Sequence, residues 1–487
     1  MLGSVILLWI GFSLLFLLFR TRRPKNFPPG PWPVPIFGNL LQLNLVNPLD
    51  DLRKLSERYG KVYSIYIGSK PAVVLNGLQA MKDALVTQSV EFAGRPQDLL
   101  INHLNENKGV VFAYGPVWKE HRRFTLTTLR NFGLGKRSME ERILGEVSYI
   151  ASDLENNAGK AIDSQILFHK AAFNIICTVL FGTRYKHEDE FLQHNIRYIK
   201  EVTKIVNGPW DMIYEMLPLL RHLPLPFQKA FHNMNMVRKS LADQVSQHKE
   251  SWVTGEPRDL TDCYLDEMDK RGDDVSSFNE KQLIGYLLDL LFAGTDTTAN
   301  TLLTAFLHLM THPDVQERCQ KEIDEVLGEK EQASYEDRHK MPYTQAMIHE
   351  TQRVADTVPL SVFHTTTKDI RLMGYDLPKG ILIIPNLSSV LSEESQWKFP
   401  HDFNPSNFLN DQGEFVKPDA FMPFSAGPRM CLGEGLARME LFLILVTLLR
   451  RFNFVWPEDS GVPDYTPVFG ITQTTKPYRL GVRLRGS

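Results

Sequence analysis

Apolar residues recur along the chain with two spacings, one typical of helices and one typical of strands. A stripe of residues three or four apart predicts a helix that Gly60 ends; its members are Leu49, Leu52, Leu55 and Tyr59. Apolar runs at 62–67 and 72–75, joined by a four-residue turn, predict a hairpin. From residue 80 onward most segments have helical periodicity, with further short strands expected between residues 372 and 384 and after Pro467. The pattern predicts one large, mainly α-helical domain with a small β lobe.

Residues 283–310 are apolar on nearly all sides in their first half, which predicts a buried central helix. A membrane span is not predicted here, because several polar side chains would then lie in hydrocarbon: Asp289, Asp296, Asn300 and His308. The same helix contains the run Ala-Gly-Thr-Asp-Thr-Thr at 293–298. Its carboxylate and hydroxyls are costly there unless they are hydrogen-bonded or face water. A bond to a preceding carbonyl explains Thr298 well but not the whole hexapeptide.

The N-terminal residues 2–19 carry no charge, and as a helix they span about 27 Å, close to the hydrocarbon thickness of a bilayer. Basic residues follow at once, namely Arg20, Arg22, Arg23 and Lys25. A cleaved signal peptide, the alternative, would carry its positive charge before the apolar run. We therefore expect a single-pass anchor at 2–19 with the body of the protein in the cytosol. Five prolines at 27–39 predict a stiff spacer, so 20–40 form a basic stop and hinge ahead of a catalytic domain at 41–487.

Composition excludes several classes of protein. The 487 residues carry a formal net charge of −3, which argues against a nucleic-acid-binding protein. Four widely spaced cysteines without a C-x-x-C pair predict neither a disulfide framework nor a structural zinc site. A G-x-x-x-x-G-K-[ST] loop and a strand-linked G-x-G-x-x-G are both missing from the sequence, so nucleotide and flavin binding are not predicted.

Cys431 is the candidate metal ligand. It lies in a loop with Gly427 and Gly433, directly ahead of an amphipathic run at 436–449. A thiolate, the ligand form of cysteine, is favoured at helix N-termini and by a metal. Gly427 can adopt backbone angles closed to other residues, and Gly433 allows a bulky partner to approach. A buried structural cysteine before a core helix is the alternative interpretation.

Five positions in this loop, Phe424, Gly427, Arg429, Cys431 and Gly433, match the haem-binding loop F-x-x-G-x-R-x-C-x-G of the cytochromes P-450. The chain resembles that superfamily after residue 27, and the anchor together with the run 434–442 is most similar to family 2 of the animal microsomal enzymes. The resemblance implies the P-450 fold and haem b with Cys431 as the axial thiolate. It also implies a haem-thiolate monooxygenase.

Other motifs follow in the order found in the family. The run 293–298 is similar to the oxygen-activation segment, which implies that Thr297 hydrogen-bonds the oxygen being activated and that Asp296 belongs to the proton-delivery chain. Glu350 and Arg353 match the E-x-x-R element, a structural ion pair on the proximal side of the haem. Asn407 stands where family members often have an arginine, so the third partner of this pair stays open.

The resemblance also implies side chains for the haem propionates and for a substrate pocket. Propionate partners are Trp118 and Arg122 in a W-x-x-x-R element, together with Arg429 and His364. Residues implied for the pocket are Phe112, Phe292, Ala293, Val358, Val362, Phe363 and Phe469. Relatives often have proline in place of Phe363, which leaves the geometry of that loop open.

Because no nucleotide site is predicted, electrons from NADPH have to arrive through another protein. The resemblance implies NADPH-cytochrome P-450 reductase, with cytochrome b5 as a second candidate. Basic residues that could form the docking face are Lys119, Arg122, Arg123, Arg130, Lys136 and Arg137.

The implied reaction inserts one oxygen atom from dioxygen into a lipophilic substrate at the endoplasmic reticulum membrane. Hydroxylation or epoxidation of fatty acids, steroids or xenobiotics all fit an apolar pocket. Two alternatives stay open: a haem-thiolate isomerase or dehydratase that needs no reductase, and a haem-binding sensor without turnover.

Overall fold

The computed structural model describes residues 23–131, 137–272 and 276–486. Helices dominate these ranges: α1 (Leu49–Tyr59), α2 (Gly77–Lys82), α3 (Leu100–Leu104), α4 (Gly115–Asn131), α5 (Arg137–Asn156), α6 (Ser164–Phe181), α7 (Glu190–Val206), α8 (Pro209–Met216), α9 (Pro226–Ser251), α10 (Leu260–Arg271), α11 (Glu280–Thr311), α12 (Pro313–Leu327), α13 (Pro342–Ala355), α14 (Ser388–Leu391) and α15 (Glu434–Arg451). The anchor predicted at 2–19, the start of the hinge, Lys136 and the side chain of Arg137 lie outside the described part of the chain.

Within the described ranges, small sheets accompany the helices. Their strands are β1 (Val62–Ile67), β2 (Lys70–Asn76), β3 (Ala161–Asp163), β4 (His364–Thr365), β5 (Ile370–Leu372), β6 (Tyr375–Leu377), β7 (Leu382–Asn386), β8 (Phe452–Val455) and β9 (Arg479–Leu484). One sheet has the order β1-β2-β7-β4, a second has the order β3-β9-β8, and β5 pairs with β6. β7 runs parallel to β2, so the strand predicted late in the chain joins the N-terminal hairpin.

The N-terminal helix and hairpin are confirmed, with one correction to the turn. α1 ends before Gly60, whose φ is +95°. The turn between β1 and β2 is shorter than the four residues predicted, because β2 begins at Lys70, which pairs with Ile67. Only Gly68 and Ser69 remain at the bend, and Gly68 has φ +61°. A two-residue hairpin turn requires such positive φ values, which glycine adopts without strain.

The predicted central helix is confirmed as α11, which runs through the core beside α6. Asn279 begins it, because its side chain accepts a hydrogen bond from the N–H of Gln282 at 3.0 Å. Gly294 allows the two helices to pack closely, since a Cβ there would lie 2.9 Å from Cγ1 of Ile176. α6 is long and apolar enough to cross a membrane, yet 83% of that stretch is buried inside the protein, so we interpret it as a core helix.

Candidate functional site

The loop that carries Cys431 is held by its backbone. A short 3-10 turn covers Gly427–Arg429, and Gly427 has φ +73°. A Cβ at Gly427 would lie 1.8 Å from the carbonyl oxygen of Leu85, so only glycine fits this close approach. The N–H of Cys431 donates to the carbonyl oxygen of Phe424 at 3.0 Å. The sequence thus folds into a turn that fixes the thiol three residues before α15.

Cys431 is surrounded by protein but exposes its side chain to an internal cavity. Burial raises the pKa of this thiol, and the backbone N–H of Gly433 is the main opposing influence. The cavity lies between the Cys431 loop and α11, which contributes Ala293 and Thr297. The empty volume of the cavity, including the part that opens to solvent, is about 1580 Å³. The site therefore places a sulfur ligand on one wall and the central helix on the other.

The guanidinium of Arg429 has two nitrogens without a protein partner at this cavity. Its Nε donates to the carbonyl oxygen of Ala93 at 2.8 Å, and its guanidinium lies 3.6 Å from the centre of the Trp118 ring. Nη1 and Nη2 are buried and have no hydrogen-bond partner. Burial, with repulsion from Arg95 and Arg122, lowers the pKa of Arg429 to about 8. An anionic group at this position would satisfy both free nitrogens.

Arg95 and His364 lie close to Arg429, and the sequence analysis did not assign Arg95. Arg95 is buried, lines the cavity and donates to the carbonyl oxygens of Val362 and Phe363 at 2.7 and 2.8 Å. Burial lowers the pKa of Arg95 to about 9. His364 faces the carbonyl oxygen of Phe92 through Nδ1 at 2.6 Å, while its Nε2 is buried and unpartnered. The signal that the sequence offers for Arg95 is its position as a single arginine between Gly94 and Pro96.

Arg122 connects α4 to the loop of the candidate ligand. It lines the cavity, and its Nη2 donates to the carbonyl oxygen of Met430 at 2.7 Å. Trp118, one turn earlier, lines a neighbouring cavity that shares Arg95. The W-x-x-x-R element therefore contributes a stacking ring and a hydrogen bond to the same corner of the site.

The two residues predicted for oxygen activation face different ways. Thr297 lines the cavity, and its hydroxyl donates to the carbonyl oxygen of Ala293 at 2.7 Å. Asp296 is buried and is not among the described residues that line the cavity. Its carboxylate contacts His169 Nε2 at 3.4 Å, accepts from Asn300 at 3.4 Å and accepts from the hydroxyl of Thr472. Asp296 thus points towards α6 and the C-terminal segment.

Glu350 and Arg353 form a buried ion pair on α13, with Nε to Oε2 at 2.7 Å and Nη2 to Oε1 at 2.7 Å. Arg353 also donates to backbone carbonyl oxygens that precede the Cys431 loop, those of Leu391, Phe399, Pro400 and Asp402. Asn407 donates to Glu350 Oε1 at 3.1 Å, and the N–H of Asn404 does so at 2.8 Å. The third partner that the sequence left open is therefore Asn407, which binds the carboxylate with a neutral amide.

The pocket residues predicted from the sequence divide into two groups. Ala293, Val358 and Val362 line the cavity. The four predicted aromatic residues are not among the described side chains that line it: Phe112, Phe292, Phe363 and Phe469. Two of them pack elsewhere, Phe292 against the main core and Phe363 against the cluster under β1 and β2. Apolar side chains that line the cavity instead include Ile176 and Leu290.

Comparisons with known proteins agree with this geometry. A profile of the family described as cytochrome P-450 matches residues 28–482. The chain belongs to the cytochrome P-450 family. It is 42% identical to cytochrome P-450 2D3 of Rattus norvegicus, over 96% of both chains. It is also 42% identical to cytochrome P-450 2F2 of Mus musculus, over 94% of both chains, and to cytochrome P-450 2F5 of Gorilla gorilla gorilla, over 96% of this chain and 95% of the relative.

Cytochromes P-450 bind haem through a cysteine thiolate, and the residues at this site fit that group. Cys431 is the cysteine that lines the cavity within the described ranges. The unpartnered nitrogens of Arg429 and His364 are donors suited to propionate oxygens. The fit rests on this pairing of one thiol with buried donors that have no protein acceptor.

Asp289 on α11 is a further residue of the P-450 site that the sequence analysis did not assign. Its carboxylate accepts hydrogen bonds from the N–H groups of Val110 and Val111 at 2.7 and 2.8 Å and from Asn105 Nδ2 at 2.6 Å. Burial raises the pKa of Asp289 to about 7. Val110 and Val111 both line the cavity, so Asp289 positions the loop that forms this wall.

We expect the Asp289→Ala variant to loosen that wall. Loss of the carboxylate leaves the amides of Val110 and Val111 without an acceptor, at about 1–3 kcal/mol for each buried group. Hydrogen exchange should show faster exchange at these two amides and unchanged exchange in α15. Asp266→Ala is a matched control, because Asp266 also accepts a backbone N–H, that of Gly255, but far along the chain from this loop. Equal protection of Val110 in wild type and Asp289→Ala would contradict the assignment.

Proposed function

We propose that this P-450 is a membrane-anchored monooxygenase that inserts one oxygen atom from dioxygen into lipophilic substrates. NADPH supplies the electrons through NADPH-cytochrome P-450 reductase. The observation that supports this most directly is the cavity itself, which joins the thiol of Cys431 to largely apolar walls and to the hydroxyl of Thr297. Apolar walls suit fatty acids, steroids and xenobiotics alike.

Haem held by Cys431 would supply the redox chemistry, and thiolate ligation would favour cleavage of the O–O bond. The protein's own side chains bind the cofactor, orient the substrate and exclude water. Arg429, Arg122 and His364 would hold the haem propionates, and Trp118 stacks on Arg429 to fix its guanidinium. Thr297 presents a hydroxyl to the cavity and is proposed to hydrogen-bond the oxygen being activated. Asp296 is proposed to supply protons from the far side of α11.

The exposed face of α4 supports a docking site for the reductase. Lys119, Arg123 and Arg130 are exposed there, and Arg122 of the same helix contacts the carbonyl oxygen of Met430 beside the ligand. A basic surface close to the thiolate would attract an acidic redox partner and shorten the electron path. Cytochrome b5 is a second partner proposed for the same face.

Reversing charge on this face should weaken the reductase interaction without altering the cavity. In Lys119→Glu/Arg123→Glu we expect the reductase concentration at half-maximal rate to rise about tenfold at low salt, since each reversal adds a like-charge contact. High ionic strength should reduce the difference. Lys239→Glu, which reverses a charge on α9, is the control and should behave as wild type. A reductase response of the double variant that matches wild type would contradict docking at α4.

Exposed apolar side chains support contact with a bilayer in addition to the anchor proposed at 2–19. Trp32 and Val46 in the segment after the anchor are 81% and 82% exposed, and Leu219 after α8 is 91% exposed. The two segments are neighbours, because a Cβ at Gly68 would lie 3.3 Å from Cγ of Met216 and 3.4 Å from the carbonyl oxygen of Ile36. We propose that this surface lies on the endoplasmic reticulum membrane, with the catalytic domain, from residue 41, in the cytosol.

The proposal is tested with membranes that contain the chain, reductase, NADPH and heavy-isotope dioxygen, offered a panel of fatty acids, steroids and xenobiotics. Products that carry one heavy oxygen atom support monooxygenation and identify the substrate class. Unlabelled products that form without NADPH favour the isomerase or dehydratase alternative. In a sensor without turnover, Thr297→Ala should leave the behaviour of the protein unchanged. In a monooxygenase, this change should divert electrons from product to hydrogen peroxide.

A further inference from the structure

A groove beside the haem cavity is lined by more cations than anions. It is the neighbouring cavity that shares Arg95, and its walls come from residues 90–99, the start of α4, and the ends of β2, β4 and β7. The charged side chains among the described residues that line it are Lys70, Arg95, Lys119, Lys379 and one acid, Asp98. We call this surface the lysine groove. With four cations against one carboxylate, it attracts anions.

The carboxylate of Asp98 is already neutralised at one end of the groove. It accepts hydrogen bonds from Lys70 Nζ at 2.9 Å and from Arg221 Nη1 at 3.0 Å. His103 Nε2 lies 3.5 Å from the same carboxylate. Asp98 is therefore committed to these partners and does not offset the charge of the other lysines in the groove.

Lys119 and Lys379 are the unpaired charges of the lysine groove. Both residues are exposed, and within the described ranges neither ammonium group has an ion-pair partner. Lys119 lies near the start of α4, and Gly115, where this 17-residue helix begins, also lines the groove. The N–H groups of the first turn carry partial positive charge, which adds to the attraction for an anion.

Strand register brings a further lysine towards Lys379. β2 and β7 run parallel, with Ala72 beside Leu382. The same register continued two residues back brings Lys70, the first residue of β2, beside Gly380. Lys70 and Lys379 therefore extend from neighbouring chain segments, and an anion between them would offset the repulsion of two like charges.

The Lys70 end of the groove borders the surface proposed to lie on the membrane. Lys70 follows the bend at Gly68, where a Cβ would lie 3.4 Å from the carbonyl oxygen of Ile36 in the segment after the anchor. Arg221, which binds the carboxylate of the groove, comes two residues after the exposed Leu219. Lipid headgroups at that surface are therefore within reach of the groove.

We propose that the lysine groove binds the phosphate of an anionic phospholipid headgroup. The inference rests on the membrane contact proposed above. Lysine is a compact point charge that binds phosphate without a fixed fork geometry, so separate lysines around a groove suit a headgroup. A zwitterionic headgroup brings its own cation, which the unpaired lysines repel. Binding would hold the catalytic domain on the bilayer at a point separate from the exposed apolar side chains.

The test is calorimetric titration of the full chain, in micelles of a neutral detergent, with short-chain phosphatidic acid. We expect one phosphatidic acid to bind per chain, and phosphatidylcholine with the same acyl chains to bind at least about tenfold more weakly. Inorganic phosphate should also bind more weakly, because the acyl chains of the lipid keep its headgroup at the micelle surface that the protein contacts. Added salt should weaken phosphatidic acid binding, since the lysines are exposed.

Two double variants locate the binding. Lys70→Gln/Lys379→Gln removes two charges of the groove and should weaken phosphatidic acid binding about 25-fold, at about fivefold for each lysine. Lys239→Gln/Lys321→Gln removes the same charge from α9 and α12, where both lysines are exposed and do not line the groove, and should bind as wild type. Lys119 stays unchanged, because it also belongs to the face proposed for the reductase.

The membrane contact and the headgroup site fail in different ways. A full chain that does not float with vesicles of any composition overturns both. A chain that floats with phosphatidylcholine vesicles, yet binds phosphatidic acid equally in wild type and in the groove variant, overturns the headgroup site alone. Inorganic phosphate that binds as tightly as phosphatidic acid overturns the lipid as the source of the phosphate. Monooxygenation is measured separately, by the labelled product.

Discussion

The Cys431→Ser variant is expected to lose the absorption spectrum of thiolate-bound haem and to retain below about 1% of wild-type turnover. Serine is close to cysteine in size, and the backbone bond from residue 431 to the carbonyl oxygen of Phe424 does not depend on the side chain. The loop should therefore keep its conformation. A serine hydroxyl stays protonated where a thiol can ionise, so it cannot donate the negative charge that favours O–O cleavage.

Cys263→Ser is the control for removal of a thiol. Cys263 lies on α10, is half-buried and is a free cysteine. Cys263 does not line the cavity, and burial raises the pKa of its thiol to about 12. The control should bind haem and turn over as wild type does. A thiolate-type spectrum in Cys431→Ser, or its loss in Cys263→Ser, would refute Cys431 as the ligand.

Local spacing predicted the parts of the fold that local forces determine. α1 and the β1–β2 hairpin follow from apolar periodicity and from glycines that terminate or turn the chain, and α11 follows from a long apolar run. The turn was predicted too long because the sequence does not show that Lys70 pairs across the hairpin. Tertiary pairing decides where a strand begins, and periodicity alone cannot report it.

The direction of a side chain at the site was less predictable than its presence. Asp296 and Thr297 are adjacent in sequence, yet successive residues of a helix point about 100° apart, so Thr297 faces the cavity while Asp296 faces His169. Arg95 and Asp289 were missed because their partners lie far away in the chain. Only packing shows that Arg95 lines the cavity and that Asp289 binds the loop that forms one of its walls.

The ion pair between Glu350 and Arg353 shows how a short local motif stabilises a distant loop. Its spacing of three residues was visible in the sequence, but any surface helix can show it. The structure buries both side chains, at 0% and 3% exposure, and gives Arg353 four backbone carbonyl acceptors between residues 391 and 402. α13 thus holds the segment that leads into the Cys431 loop.

Removal of Arg353 should therefore lower the free energy of unfolding far more than the loss of a surface ion pair does. We expect Arg353→Met to lower the free energy of unfolding by about 3–5 kcal/mol, because it leaves Glu350 buried without its countercharge. That is a large part of the stability of a typical domain, so little haem-loaded protein should accumulate at 37 °C. Denaturant or thermal unfolding of the haem-loaded protein measures the change.

Two further variants decide whether burial of charge is the cause. Glu350→Gln/Arg353→Met removes both charges and should cost less than the sum of the single changes, since no unpaired charge remains. Arg53→Met removes an arginine that pairs with Asp50 and Glu57 on the exposed face of α1 and should cost no more than about 1 kcal/mol. If the double variant costs the full sum, the carbonyl acceptors of Arg353, rather than its pairing with Glu350, hold the proximal segment in place.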